Sequence, residues 1–556
     1  MLHFRPKIVE TLSGYSRADL TSDIAGGITV GVLALPLAMA FAIASGMSPA
    51  AGIWTAIVAG LIIALLGGSR VQIGGPTGAF IPIVYVIVID HGVSGLLVAT
   101  MMAGVMLFAM GALKLGSMVR FIPLSVVIGF TNGIAVVIFM SQISDFLGLR
   151  IEQMPGEFFA KIQTLSGALH TAHAPTIALA LASVAVLVGW NRLARQVAWM
   201  RRAPGPLIAL LAATAANAVF VFPVATIGSR FGGIPQGLPD IGLPTVELGT
   251  LGSLITPAIT IALLGAIESL LSARVADQHI NDRHNPNQEL MAQGLANVAA
   301  PIFGGFAATG AIARTATNIR SGGRTPIAGL IHALVLLAMT LVLAPLASHI
   351  PLAALSAIVV VVAVNMGEWH ALKPQTLARH GRSHATILLT TFVVTILFDL
   401  TLAVQAGLLL SALFYIYRMA DLTHLTPIDL SHHPAQEVVH RADGSERVRA
   451  FRLTGSLFFG AAHKLDALLD DFGQPDFVVL DLAHTIHIDT SGVDILQTLQ
   501  DSLERRNIRL ILAGLRPQPQ AVLHRIWLDE EFGEQATAAN LDDALARIAL
   551  TEEFRS

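Results

Sequence analysis

The sequence predicts a polytopic α-helical membrane protein of about fourteen spans, set out as two inverted halves of about seven, with a small α/β domain after them. Three observations carry this. The chain is 54% hydrophobic and only 13% charged, with a mean hydropathy of +0.68, whereas an ordinary soluble domain is about one quarter charged. Apolar blocks of roughly 20 residues, long enough to span a bilayer, recur from Ile24 to Tyr417, and after Arg418 the chain becomes rich in Asp, Glu, Arg and His. Glycine-rich stretches interrupt two of these blocks: Gly74-Gly75-Pro76-Thr77-Gly78-Ala79 and Gly304-Gly305-Phe306-Ala307-Ala308-Thr309-Gly310-Ala311.

Residues 1–22 carry Arg5, Lys7, Glu10, Arg17 and Asp19 and no apolar core, so they read as a cytosolic segment rather than a cleaved signal. The membrane region is expected over 23–420, with repeats at about 23–222 and 254–420. Pro36 interrupts the first span, freeing a carbonyl and bending the helix. Phe41 beyond it is either a wall of a site or plain core filler.

In hydrocarbon every backbone N–H and C=O needs a partner, so glycine-rich irregular backbone at that depth is tolerated only where it is buried in protein or lines a cavity. Thr-Gly-Ala occurs in both interruptions, at Thr77 and Thr309. Two broken helices in corresponding positions point to a midplane ion or substrate site. Their first N–H groups favour an anion, with the Thr77 hydroxyl and Arg314 nearby. The binding candidates are Phe41, Gly75, Pro76, Thr77, Gly78 and Ala79 on one side and Gly310, Ala311, Ile312, Ala313 and Arg314 on the other. Structural readings stand beside these: glycines that let helices pack closely, and an Arg314 that reaches back to the aqueous face.

Glu268 is the lone acid in the apolar run from Leu254 to Ala273. A charged carboxylate at the bilayer centre costs about 2.5 to 3.5 kcal/mol, and such residues mark ion and proton pathways. Gly265, Glu268 and Ser272 share one helical face, so Glu268 and Ser272 are the ion-coupling candidates. His279, Asp282 and His284 sit in a polar loop without the spacing of a metal site, and no metal is assigned.

Arg70, Lys114, Arg120, Arg192, Arg195, Arg201, Arg202, Arg283, Arg320, Arg324, Lys373, Arg379, Arg382 and Arg418 fall on one side of the alternating spans. By the positive-inside rule that side is cytoplasmic, with both termini inside. The long outer connections, Arg150 to Ala174 and Pro223 to Ser253, carry no lysine or arginine beyond Arg150, Lys161 and Arg230 and read as loops. The C-terminal domain is expected over 437–552. It has strands at Val448 to Phe458, Phe477 to Leu482 and Arg509 to Ala513, and helices at Ala461 to Asp471 and from Asp489 to about Arg505, with two more helices following. Ser491, in Asp489-Thr490-Ser491-Gly492, is a possible phosphorylation site at a helix start, although capping alone explains the pattern.

The chain has no cysteine, which removes disulfides, thiolate metal sites and iron–sulfur clusters, and no cofactor is expected. No basic stripe suggests nucleic acid, and no nucleophile, base and oxyanion arrangement suggests an enzyme.

Asp23 to Gly27, Pro36 to Ala40, Gly67-Gly68-Ser69-Arg70 followed by Gly75-Pro76-Thr77, Gly310 to Ala316 with Asn318, and Asp489 to Gly492 together resemble the sulfate permease (SulP) family, also called solute carrier family 26. Over essentially the whole chain the resemblance implies a seven-plus-seven inverted repeat with core and gate domains, elevator-like alternating access, a homodimer and a C-terminal STAS domain. It places a small anion between the third and tenth spans. Sodium-coupled bicarbonate members have an Asp in the eighth span; Glu268 stands there in this chain, in a sequence similar to proton-coupled bacterial dicarboxylate carriers. Some animal members have Gln beside the first-span proline, where this chain has Leu37. The resulting expectation is a secondary transporter in the cell inner membrane for a C4-dicarboxylate, sulfate or bicarbonate, coupled to protons in preference to sodium. The alternatives are a sodium-coupled bicarbonate transporter and a membrane-tethered anion sensor.

Overall fold

The computed structural model describes residues 4–117, 123–151, 154–155, 157–197, 200, 204–233, 237–239, 241–398, 400–434, 436–441, 444–461, 465, 474–528 and 536–553. Arg120, Arg201, Arg202, part of the glycine-rich loop at 234–236 and nearly all of the helix expected over Ala461 to Asp471 lie outside these residues. The chain divides into two compact units, Met1–Leu408 and Leu409–Ser556.

The first unit is helical. Its elements are α1 (Arg17–Ala44), α2 (Pro49–Leu66), β1 (Gly74–Gly75), α3 (Ile81–Ala112), α4 (Leu124–Leu147), α5 (Phe158–Ala168), α6 (Ala174–Gln196) and α7 (Gly205–Phe220). Then come α8 (Ile255–Ile280), α9 (Pro286–Ile302), β2 (Thr309–Gly310), α10 (Ile312–Arg320), α11 (Pro326–Ala347), α12 (Leu352–Met366) and α13 (Arg382–Leu397), while α14 (Leu400–Asp421) lies across the division. Seven helices among the described residues are long and apolar enough to cross a membrane, and four shorter apolar helices accompany them.

Local chemistry sets the helix starts. Ser16 and Asp19 form a reciprocal cap on α1, Ser48 caps α2, and Asn285 accepts from the N–H groups of Asn287 and Gln288 at the start of α9; such caps satisfy the otherwise unpaired first-turn donors. Pro36 lies inside α1, which continues through it. Gly92 interrupts α3 with φ 69° and ψ 178°. The first outer connection, expected as a loop, contains helix α5; the second contains a short helix, Ile227–Phe231.

The second unit holds a five-stranded sheet in the order β3 (His424–Ile428), β4 (Val448–Leu457), β5 (Phe477–Ile488), β6 (Arg509–Ala513), β7 (Thr537–Ala538). β3 runs antiparallel to β4, and the remaining pairs are parallel. Along β5, Val478, Leu480 and Leu482 enter one apolar cluster, and Phe477 and Val479 enter another. This period-two split buries both faces of a central strand. Helices α15 (Thr490–Glu504), α16 (Pro517–Leu523) and α17 (Leu541–Glu553) complete the unit. The sheet starts ahead of the expected boundary at 437, because β3 is its edge strand.

Candidate anion site

The two glycine-rich interruptions meet. β1 pairs antiparallel with β2, Gly74 opposite Gly310 and Gly75 opposite Thr309, and the Ala311 N–H donates to Ile73 O at 2.8 Å. The sequence predicts broken helix starts at both stretches; the structure adds this pairing, which satisfies backbone groups each segment alone leaves open. Beyond β1 a short turn, Gly78–Phe80, leads into α3; beyond β2, α10 starts at Ile312.

Close approach fixes two glycines. Gly75 has φ +146°, and a Cβ there would fall 2.6 Å from Arg314 Nη1. A Cβ on Gly310 would fall 1.9 Å from Gln72 Nε2.

Side chains tie the crossing to its neighbours. The Ser269 and Thr309 hydroxyls are 2.6 Å apart, the Gly310 N–H donates to Ser269 Oγ at 3.1 Å, and Thr309 Oγ1 donates to Gly265 O at 3.2 Å. Ser272 Oγ donates to Thr315 Oγ1, which also accepts from the Ile73 N–H at 3.1 Å. Asn318 Nδ2 donates to Val71 O, and Asn297 bridges the backbone of Ala308 through both ends of its amide. Behind the crossing the fully buried Glu289 carboxylate accepts from the N–H groups of Gly68 and Ser69 and from Gln72 Nε2 and Gln293 Nε2. That fixes the loop delivering Gln72 and β1.

Arg314 is 2% exposed and donates through Nη2 to the carbonyl of Pro76 on the opposite interruption, so it stays within the bundle. Its Nη1 and the Thr77 Oγ1 are buried without a hydrogen-bond partner among the described residues. Gly78, Ala79 and Ala311 are buried beside them. Phe41 is buried with its ring 3.7 Å from where a Gly78 Cβ would sit, so it walls the turn after β1. Ile312 and Ala313 lie on the exposed side of α10; what they bring is first-turn N–H groups, which lack intrahelical acceptors.

Ser272 reaches the crossing, and Glu268 is partly buried with no hydrogen bond among the described residues. Ser269, which sequence reasoning passed over, makes the direct contact with β2; its signal was its place beside Glu268. His284 pairs with Asp277 at 2.6 Å and His279 with the Val275 carbonyl. In the second unit Asp489 caps α15, accepting from the Gly492 N–H at 2.8 Å, with Ser491 in the first turn.

An apolar helical bundle that brings two interrupted segments together at a buried crossing with open donors, followed in the chain by a separate sheet unit, is the architecture of a multi-pass membrane transporter. The chain belongs to the sulfate permease family: residues 20–391 match that family, and residues 441–544 match the STAS domain. It is 42% identical over 526 residues to YvdB of Bacillus subtilis, which carries a sulfate-transporter name, covering 94% of this chain and 96% of that protein. It is 31% identical over 551 residues to the bicarbonate transporter BicA of a Picosynechococcus species, covering 96% and 95%. The solved transmembrane domain of a cyanobacterial BicA aligns with TM-score 0.62 and 34% identity over 70% of this chain and 97% of that one. Murine Slc26a9 shares the fold, with TM-score 0.84 at 18% identity over 98% and 94%. Family and relatives together support anion transport.

Proposed function

We propose that the chain is a proton-coupled secondary transporter of a small anion, a C4-dicarboxylate, sulfate or bicarbonate, bound at the β1–β2 crossing. The observation that carries this reading is the pair of open donors there, Arg314 Nη1 and Thr77 Oγ1, beside the turn at Gly78–Phe80 and the start of α10 after Ala311. The substrate contacts are Gly75 to Ala79, Gly310 to Arg314 and Phe41, with Glu268 and Ser272 coupling the proton.

A bound anion and a proton on Glu268 attract, so the binding of each favours the other. Against a negative interior each uncompensated charge costs about 2.3 kcal/mol per 100 mV, and protons offset it. The order α2–β1–α3 matches the order α9–β2–α10, which supports a repeat of 23–222 in 254–420. Counting α3 as two segments joined at Gly92 supports about fourteen spans. On this reading the transporter works as an elevator in a homodimer in the cell inner membrane, termini inside, with the STAS-like domain over 437–552.

Sodium coupling is the second reading, favoured by the oxygen cluster of Ser269, Ser272, Thr309 and the Gly265 carbonyl, since hard cations take oxygen ligands. Uptake of labelled sulfate, succinate and bicarbonate into proteoliposomes, with pH and sodium gradients imposed separately, tests both. Accumulation on the pH gradient alone is expected. Accumulation on sodium alone selects the second reading, and anion binding without movement of any of the three leaves a membrane-tethered sensor.

A further inference from the structure

Away from the crossing lies a cavity of about 380 Å³ lined by the end of α1, the first turns of α3 and residues of α4, α5, α8, α13 and α14. None of Gly75 to Ala79 or Gly310 to Arg314 lines it. Its walls are mainly apolar, with Ile81, Ile134 and Phe158 among them, and Lys161 is the one charged residue among the lining residues.

Lys161 is an unusual residue to find there. It lies on α5 and is 5% exposed. Its ammonium sits 5.7 Å from the centroid of the Tyr85 ring and has no carboxylate or hydrogen-bond acceptor among the described residues. The Tyr85 hydroxyl is engaged elsewhere, donating to Met154 O at 2.8 Å. A ring face offsets only part of the desolvation of a cation, and a buried charge without a counter-charge is costly. Burial accordingly pushes the ammonium below its usual range.

We propose that this cavity binds an amphiphilic organic monocarboxylate, its carboxylate on the Lys161 ammonium and its apolar tail against Ile81, Ile134 and Phe158. The volume and the walls select this class. A small inorganic dianion would give up its hydration to apolar walls and a single cation, whereas pockets of this size bind apolar bodies oriented by a few polar groups. The site is separate from the transport crossing and stands whether or not the coupling reading holds.

The test is titration calorimetry of the full-length chain in detergent with octanoate, against octanol and an empty-micelle blank. Saturable octanoate binding is expected, weakened at least about tenfold by Lys161→Gln and retained by Lys161→Arg. Ile134→Trp, which fills the cavity and leaves the charge, is expected to weaken octanoate binding too, and it keeps the test open if Lys161→Gln melts early. Absence of saturable binding, octanol binding as tightly as octanoate, or well-folded Lys161→Gln binding octanoate like the wild type would each overturn the proposal.

Discussion

Ser269 and Thr309 share a hydrogen bond of 2.6 Å between their hydroxyls, and the Ser269 oxygen also receives the Gly310 N–H. One side chain of α8, next to Glu268, therefore holds strand β2. Ser269→Ala leaves a buried N–H and a buried hydroxyl short of a partner, a cost of about 1 to 3 kcal/mol for such groups. The expected outcome is lowered anion affinity and a lower melting temperature, with Ser269→Thr retaining more of both. Equal anion affinity in wild type and Ser269→Ala, by calorimetry, would detach Ser269 from the site.

Glu268→Gln is expected to abolish accumulation driven by a pH gradient while leaving passive exchange, because the amide cannot carry the proton. Proteoliposome uptake with and without the gradient measures it. Continued concentration of substrate by the variant would make Glu268 structural.

Arg314→Ala removes a full charge from the crossing, and loss of one partner of a buried charged contact costs about 2 to 5 kcal/mol. At least a tenfold loss of anion affinity is expected, read from competition of unlabelled anion against labelled substrate. An unchanged affinity in a folded variant contradicts the assigned role.

Gly310→Ala places a methyl group on Gln72 Nε2, which Glu289 holds in place. Overpacking of this kind costs about 1 to 3 kcal/mol. The double variant Gly310→Ala with Gln72→Ala should recover part of the lost melting temperature; no recovery would mean that the glycine answers to something other than this side chain.

The Tyr15 hydroxyl donates to the buried Asp23 carboxylate at 3.0 Å, and its own burial, then that bond, raise its pKa from 10.0 to about 12. A raised value favours the protonated phenol in the folded protein. Its stabilisation is complete below pH 10.0 and is lost as pH rises through about 12. Thermal melts of the full chain should fall across that window, and those of Tyr15→Phe should fall less steeply. Parallel slopes would remove Tyr15 as the cause.

The glycine runs at Gly74 and Gly304 and the isolated Glu268 were readable because membrane insertion makes irregular backbone and charge conspicuous. The β1–β2 pairing was not, since a two-residue strand has no periodicity and exists only through a distant partner. Strand β3 escaped for a related reason: Pro427 lies inside it, and proline demotes a run to an edge strand or to none. Lys161 reads as a loop charge because a lone basic residue in an outer connection is ordinarily solvated, and only the packing of α5 turns it inward.

Arg314 and Pro76 are 238 residues apart in the chain, and the paired strands beside them are almost as far apart. A ribosome that has delivered only the first half has therefore made neither the strand pair nor the Arg314–Pro76 contact. The peptide groups of Gly74 and Gly75 wait for partners that have not yet been synthesised, each exposed to the several-kilocalorie cost of an unpaired group in lipid. A chain stopped in the connection between Pro223 and Ser253 would be a half-built vessel, open to proteases and without the crossing. Assembly of the two halves, rather than insertion of either, is the event that makes the protein a carrier.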